Sequence, residues 1–237
     1  MKVPELLKRL ALGELSNLSL ADSGLINVEK IPKIIMYANE GLLRLHTKFV
    51  LKEKTLLLEM RENITSYHLL KKFAYSEYDI NDPPSSWNMP YILDNENEPF
   101  LEDVIKILSV YNYDGIKLPI NDLHNACSVF TPQPLVLQVT TPVAGKMLSV
   151  EYQAKHIVIP ETEFEEVDVD IPECLESALQ AFIASKSYMH MNTQENTAKG
   201  QQHEMTFESL CQNVIDMDLI NMANTTTNTR FEKRGWV

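Results

Sequence analysis

The sequence is poor in glycine, with 7 residues among 237, and it contains only 3 cysteines. Scarce glycine argues against phosphate-binding loops, which rely on glycine to bring backbone amides close to the ligand. Cys127, Cys174 and Cys211 are odd in number and far apart, so they predict neither a disulfide framework nor a zinc site. We expect them to be small, buried, apolar side chains.

Long hydrophobic runs are also missing. No stretch approaches the roughly 18 apolar residues that a membrane-spanning helix needs, and charges interrupt the N-terminal segment where a signal peptide would have its apolar core. We therefore expect a protein that is made in a cytoplasm and has no membrane partner. Apolar residues still make up 44% of the chain, which is typical of a folded globular protein.

No catalytic motif stands out. The 6 histidines lack metal-ligating helical spacing, Gly145-Lys146 lacks the earlier glycine of a phosphate loop, and no Gly-x-Ser-x-Gly sequence occurs. We predict that the protein is not an enzyme, has no catalytic residues, and uses neither a cofactor nor a metal.

Charge is unevenly distributed along the chain. Residues 1–75 carry 12 Lys and Arg against 8 Asp and Glu, whereas residues 76–223 carry 6 against 24. Nucleic-acid binding needs basic side chains that replace the counterions of the phosphates. The acidic middle of the chain should therefore repel DNA, which would suit a channel through which DNA slides.

The densest acidic stretch is 161–176, which has 8 acidic residues and no basic one. Oxygen ligands of this kind could bind a hard cation, but no glycine provides a sharp loop turn. The alternation of carboxylates with Phe164 and Val167 favours a solvated strand or loop. The candidate channel-lining residues are Glu163, Glu165, Glu166, Asp168 and Asp170.

Helical periodicity marks both ends of the chain. Apolar residues recur every three or four positions in four segments, which we predict to be the helices 3–15, 32–49, 172–189 and 202–223. Pro32 and Pro172 suit first helical turns, where the missing amide hydrogen costs nothing. The polar stretch 192–201, which includes Gly200, is the predicted loop between the last two helices.

Between the helical ends, short apolar runs predict the strands 54–60, 104–111, 135–140, 147–152 and 155–159. Pro119, Pro132 and Pro134 restrict the edges of this region, because proline cannot donate a hydrogen bond in a central strand. The predicted fold class is α+β. N- and C-terminal helices form a helical bundle with an inserted small antiparallel β-lobe and an extended C-terminal tail.

The predicted domains follow from these patterns. We assign residues 1–53 and 171–223 to a helical core, 54–170 to the β-lobe and 224–237 to the tail. The tail combines basic and aromatic residues, and arginine and tryptophan are enriched at the energetic centres of interfaces. The expected partner-binding residues of the tail are Arg230, Phe231, Lys233, Arg234 and Trp236.

The start of the third predicted helix resembles a known family. Asp170-Ile-Pro-Glu-Cys-Leu, followed by Ala181-Phe182-Ile183-Ala184-Ser185-Lys186, is similar to the head-to-tail adaptors of short-tailed bacteriophages, also called tail tubular protein A. In that family an acidic residue, a short apolar link and Pro-Glu open a long helix. A polar turn and a second long helix follow, as residues 194–222 do here.

The resemblance implies a structural protein of the virion. Such adaptors form a homo-oligomeric ring, expected to be a dodecamer, beneath the portal protein. Helices form the ring wall, the C-terminal tail binds the portal, and the far side receives the tail tube or nozzle. Double-stranded DNA passes through the ring without specific binding. The expected location is the neck and tail of the virion, after assembly in the host cytoplasm.

Two alternatives stay open. A tail-tube or tail-completion protein of the same virion would differ only in the position of its ring in the particle. A small phage-encoded enzyme or regulatory binding protein belongs to a different class. It would be a monomer or dimer with a deep pocket in which polar groups converge.

Overall fold

The computed structural model describes residues 1–18, 20–22, 24–77, 89–94, 99–191 and 193–220. Its helices and antiparallel sheets confirm the α+β class. The chain forms two compact units. One contains Met1–Val50 and the chain from Ile157 onward, and we call it the helical unit; the other, Leu51–His156, is the sheet unit.

The helical unit contains four α-helices: α1 (Val3–Leu12), α2 (Ile31–Lys48), α3 (Glu173–Met189) and α4 (Gln194–Asp216). Gly13 ends α1 earlier than the periodicity predicts. A two-stranded ladder of β1 (Ala21–Asp22) and β2 (Leu25–Ile26) and a 3-10 turn at Val28–Lys30 lead into α2.

The helices pack through the apolar stripes that the sequence predicts. Ile34, Ala38 and Leu45 of α2 are buried. Gly41 lies on the same face, and a Cβ atom there would come within 2.8 Å of side-chain carbons of both Leu179 and Phe182. The glycine therefore lets α2 approach α3 more closely than any other residue would allow.

Helix α4 begins earlier than predicted. The prediction of a loop over 192–201 is wrong from Gln194 onward. Thr193 caps the helix, because its hydroxyl accepts a hydrogen bond from the Asn196 amide at 3.3 Å. Gln, Glu, Ala and Lys in the first turns are good helix formers. Gly200 is accommodated because α3 lies so close that a Cβ would be 2.6 Å from Cγ of Met189.

The sheet unit contains the strands β3 (Glu53–Glu59), β4 (Ser66–His68), β5 (Ile92–Leu93), β6 (Val104–Tyr111), β7 (Lys117–Leu118), β8 (Val129–Gln133), β9 (Val136–Val139) and β10 (Met147–Ala154). They form a five-stranded sheet of order β5-β3-β10-β6-β7 and a three-stranded sheet of order β4-β9-β8. All of these strand pairs are antiparallel. Pro132 lies in the edge strand β8, where a missing amide donor is tolerated.

Buried tyrosines hold the core of the sheet unit together. The Tyr91 hydroxyl accepts a hydrogen bond from the His68 amide and donates one to the His68 carbonyl, both at 2.8 Å. The ring of Tyr91 stacks on Phe73 with centroids 4.7 Å apart. These contacts fix the end of β4 against the chain that leads into β5.

The predicted strand at 155–159 is wrong, since these residues form no strand. The Asn39 side chain accepts a hydrogen bond from the Ile159 amide and donates one to the Ile159 carbonyl, both at 2.9 Å. One side chain thus takes the place of a partner strand. Residues 157–170, which were predicted to be part of the β-lobe, belong to the helical unit, and residues 51–53, which were predicted to be part of the helical core, belong to the sheet unit.

Candidate functional site

The acidic segment 161–170 is fixed to the start of α1 by backbone hydrogen bonds. The Val3 amide donates to the Val167 carbonyl at 3.0 Å, and the Val169 amide donates to the Met1 carbonyl at 2.8 Å. Val169 is buried. The segment therefore has a defined position on the helical unit, although it forms only an isolated bridge and no strand.

The candidate channel-lining carboxylates all lie on the surface of the helical unit: Glu163, Glu165, Glu166, Asp168 and Asp170 are exposed. Their neighbours Phe164 and Val167 are half-buried. The alternation of charged and apolar residues therefore separates a solvated side from a packed side. Of the solvated strand or loop that the sequence favours, the structure has the loop.

Lys2 neutralises part of this surface. Its ammonium group donates a hydrogen bond to the Glu166 carboxylate, which raises the pKa of Lys2 and lowers the pKa of Glu166. Within the described ranges, Glu163, Glu165 and Asp168 make no ion pair. The segment thus presents more negative than positive charge to solvent.

The carboxylates do not converge on a cation site. Among the residues that the structure describes, no group of three His, Cys, Asp or Glu side chains could hold a metal ion. Exposed carboxylates repel phosphate backbones.

Helix α3 begins directly after the acidic segment, at the site of the family resemblance. Pro172 is the residue before the first helical turn, and Glu173 and Glu176 lie within that turn. Glu176 accepts a hydrogen bond from Arg9 of α1 at 2.6 Å. A carboxylate at this end of a helix is favoured by the helix dipole, so Glu176 both supports α3 and joins it to α1.

A second charged cluster, which sequence reasoning missed, joins α2 to α4. Arg44 donates hydrogen bonds to Glu204 at 2.5 Å and to Glu208 at 2.6 Å. Its guanidinium group lies 4.8 Å from the ring centroid of Phe207. The available signal was the matching spacing of Glu204 and Glu208 on α4 and of Arg44 and Lys48 on α2, four residues apart in each helix.

Two open depressions lie along β3 and β10 in the described part of the sheet unit. Their volumes are about 500 Å³ and about 460 Å³, and Leu57 and Glu151 line both. Glu151 accepts a hydrogen bond from the Ser109 hydroxyl at 2.6 Å. Asp94, which lines the larger depression, accepts hydrogen bonds from the amides of Ser76 and Phe100. These carboxylates therefore organise their own loops and strands.

Two opposing effects act on the pKa of Asp94. Its partial burial raises the pKa, but the hydrogen bonds from Phe100 and Ser76 outweigh burial and lower it. The lowered pKa keeps Asp94 ionised as the acceptor of these hydrogen bonds.

The tail residues proposed to bind a partner, Arg230, Phe231, Lys233, Arg234 and Trp236, lie outside the described residues. The prediction of buried cysteines is confirmed for Cys211 and wrong for Cys127, which is exposed, while Cys174 is half-buried. Burial raises the pKa of Cys211 to about 11. No helix within the described ranges has the length and apolar character that crossing a membrane requires.

Comparison with known proteins adds no assignment. No protein-family model matches the chain, and no curated protein matches it.

Proposed function

We propose that this chain is a head-to-tail adaptor of a short-tailed bacteriophage. In this proposal the helical unit is a bundle that forms the wall of a homo-oligomeric ring, and the sheet unit is its inserted lobe. The ring joins the portal protein to the tail tube or nozzle. The protein acts as a structural component of the virion and not as an enzyme.

The observation that carries the proposal is the exposed acidic segment on the helical unit. Its carboxylates alternate with packed residues and are fixed to α1 by the hydrogen bonds of Val3 and Val169. A ring whose helical wall carried this segment toward its centre would repel the phosphates of passing DNA. Repulsion keeps DNA mobile, since binding would require an excess of basic side chains, whereas Lys2 on this surface is paired with Glu166.

The order of the chain supports the same function. The sheet unit, Leu51–His156, is inserted between the two parts of the helical unit. Helix α3 begins at Glu173, directly after Pro172, within the segment that resembles adaptors. The basic, aromatic tail is proposed to bind the portal through Arg230, Phe231, Lys233, Arg234 and Trp236.

The test is binding to the portal ring encoded in the same phage genome. Full-length protein is compared with a chain that ends at Ala223, and native mass and negative-stain images report the added ring. If only the full-length chain adds a ring, both the adaptor function and the tail contact are supported. If both chains add a ring, the tail does not bind the portal.

Failure of both chains to bind would overturn the adaptor function. The same images separate the nearest alternative, because a tail-tube or tail-completion protein would join a pre-formed neck and not the bare portal. The double substitution Arg234→Ala and Trp236→Ala refines the tail assignment, with Thr225→Ala and Thr227→Ala as a matched control in the polar part of the tail. Only the first pair should weaken attachment.

A further inference from the structure

The outward face of helix α4 carries no charge between Gln201 and Ile215; the exposed charged residues of the helix, Glu195, Lys199 and Asp216, lie toward its two ends. Between Gly200 and Ile215, the exposed side chains are Gln201, Gln202, Met205, Thr206, Ser209, Gln212, Asn213 and Ile215. Met205 is 67% exposed. Such a face is unusual on a protein with a net charge of −12, because solvent-facing helix surfaces are normally rich in charged residues.

The charges of the same stretch point elsewhere. Glu204 and Glu208 face α2, where they pair with Arg44. Phe207 and Cys211, on the opposite side from Met205, are fully buried. The helix therefore separates a buried apolar side, a charged flank that is used within the unit, and an uncharged outer side.

We propose that the uncharged face of α4 docks a second copy of this chain. The inference deepens the proposed adaptor function, on which it rests, by assigning a contact between copies in the ring. The contact is heterologous, so that α4 of one copy meets a different surface of its neighbour and repetition closes the ring.

Charge favours a second copy over other occupants. Two copies that each carry a net charge of −12 repel each other, so they meet at the lowest cost where neither presents a charge. A nucleic acid or a basic partner would instead select a charged surface. Interface cores are depleted of charged residues and enriched in methionine, which describes the surface around Met205.

The size of the face supports assembly in a ring and argues against a stable pair. The uncharged stretch Gln201–Ile215 has a length of about 22 Å and, at a width of about 10 Å, an area of about 220 Å². A stable pairwise interface buries about 800 Å² on each partner. Each copy in a closed ring has two neighbours, so ring closure roughly doubles the buried area per copy.

The test places a photo-crosslinking amino acid at Gln202 of the full-length chain. Equal amounts of unlabelled and 15N-labelled protein are mixed at the highest soluble concentration and irradiated, and mass spectrometry identifies crosslinks that join one labelled and one unlabelled copy. Mixed crosslinks are expected from position 202. Position 8 on α1, where Lys8 lies exposed among charged residues, is the control and should give at least tenfold fewer.

A matched pair of variants then tests the face itself. Met205→Glu with Ser209→Glu adds two charges to the face and should reduce mixed crosslinks from position 202 at least tenfold. Asn17→Glu with Thr162→Glu adds the same charge at exposed positions elsewhere in the helical unit and should leave them unchanged. Circular dichroism confirms that both variants keep their helices.

Three results in solution would overturn the inference: no mixed crosslinks from position 202, mixed crosslinks that the charges on α4 do not reduce, or equal crosslinking from position 8. A fourth is that position 202 crosslinks to the portal or a tail protein, and not to a second copy, in assembled particles. The solution test needs no portal. Failure of portal binding and failure of this contact are therefore observed separately.

Discussion

The helical unit and the sheet unit use polar groups in different ways. In the helical unit, ion pairs join separate helices, as Arg44 of α2 does with Glu204 and Glu208 of α4. In the sheet unit, a buried hydroxyl does the comparable work, since Tyr91 binds both backbone groups of His68. The first kind of contact is partly exposed to solvent, and the second is buried.

The difference follows from how each kind of structure satisfies its backbone. Helices satisfy their own amides and carbonyls, so contacts between helices are left to side chains, and long charged groups can reach across at the rim. Strand ends leave backbone groups that must find partners, and a buried tyrosine can supply them. Salt should therefore weaken the rim contacts of the helical unit and leave the tyrosine contacts of the sheet unit unchanged.

The largest predicted effect comes from the core of the helical unit. Phe207 is fully buried, packs edge-to-face on Phe182 with centroids 5.4 Å apart, and supports Arg44. Phe207→Ala should lower the free energy of unfolding by about 3–5 kcal/mol through lost burial and a cavity. Urea titration followed by circular dichroism at the helical band measures the change.

The conservative variant Phe207→Leu separates packing from the arginine contact. It keeps most of the buried volume and should cost clearly less than the alanine variant. A Phe207→Ala protein with unchanged stability would contradict the view that α4 is held by its buried side. In that case the rim ion pairs of Arg44 would have to be the main support.

The next effect is in the sheet unit. Tyr91→Phe removes the hydroxyl that accepts from the His68 amide and donates to its carbonyl. A buried backbone group that loses its partner costs about 1–3 kcal/mol, and this variant should lose stability by that amount. Hydrogen exchange of the β4 amides, compared with those of β6 as an internal control, should locate the loss.

The same residue gives a pH dependence with a definite sign. Burial raises the pKa of Tyr91 well above its ordinary value of 10.0, so the folded protein keeps the proton where the unfolded chain loses it. The stabilisation is complete below pH 10 and decreases as pH rises above it, by about 1.4 kcal/mol per pH unit for one proton. Stability of Tyr91→Phe should fall less steeply above pH 10 than that of the natural chain, and equal slopes would contradict this account.

Two glycines, one in each unit, extend the comparison to smaller effects on stability. Gly41 is helical and is needed because Leu179 and Phe182 lie where a Cβ would go, whereas Gly115 of the sheet unit has open space but a φ of +77°. Gly41→Ala should destabilise by about 1–3 kcal/mol through overpacking. Gly115→Ala should cost about 1–2 kcal/mol through backbone strain alone.

Overpacking at Gly41 and backbone strain at Gly115 should be relieved by different substitutions. Trimming the neighbour with Leu179→Ala should relieve part of the Gly41→Ala cost in a double-mutant cycle. Gly115→Asn should be milder than Gly115→Ala, because asparagine tolerates positive φ better. If trimming Leu179 changed nothing for Gly41→Ala, close approach would not be the reason for that glycine.

Local patterns in the sequence predicted the parts of the fold that depend on local interactions. The strand over 104–111 matches β6 at both ends, and Pro172 marks the start of α3 as expected. Periodicity and proline geometry act within a few residues, so they can be read without the rest of the chain. The early start of α4 was missed because Gly200 was read as a loop residue, when its role depends on Met189.

Contacts between distant parts of the chain could not be predicted in this way. The acidic segment was recognised from its composition, but its attachment to Met1 and Val3 depends on backbone hydrogen bonds between the two ends of the helical unit. The hydrogen bonds between Asn39 and Ile159, which replace the predicted strand, also join residues that are far apart in the sequence. Neither pairing leaves a local signal.

The smallest expected effect on stability comes from the candidate channel lining. Glu163→Gln, Glu165→Gln and Asp168→Asn remove three exposed charges that make no ion pair within the described residues. Substitutions of this kind change stability by no more than about 0.5 kcal/mol, so urea titration should not distinguish the triple variant from the natural chain. A decrease of several kcal/mol in the free energy of unfolding would mean that these carboxylates stabilise the fold.

The same variant should change behaviour toward DNA. With fewer charges to repel phosphates, it should bind double-stranded DNA more tightly than the natural chain in low salt, and the difference should shrink as salt screens the charges. Neutralising Glu204 and Glu208 of α4 gives the contrast, because those carboxylates pair with Arg44. That change should reduce the free energy of unfolding, and it also frees the basic side chain of Arg44. If the acidic-segment variant binds DNA tightly and this second variant does not, the repulsion comes from the acidic segment itself.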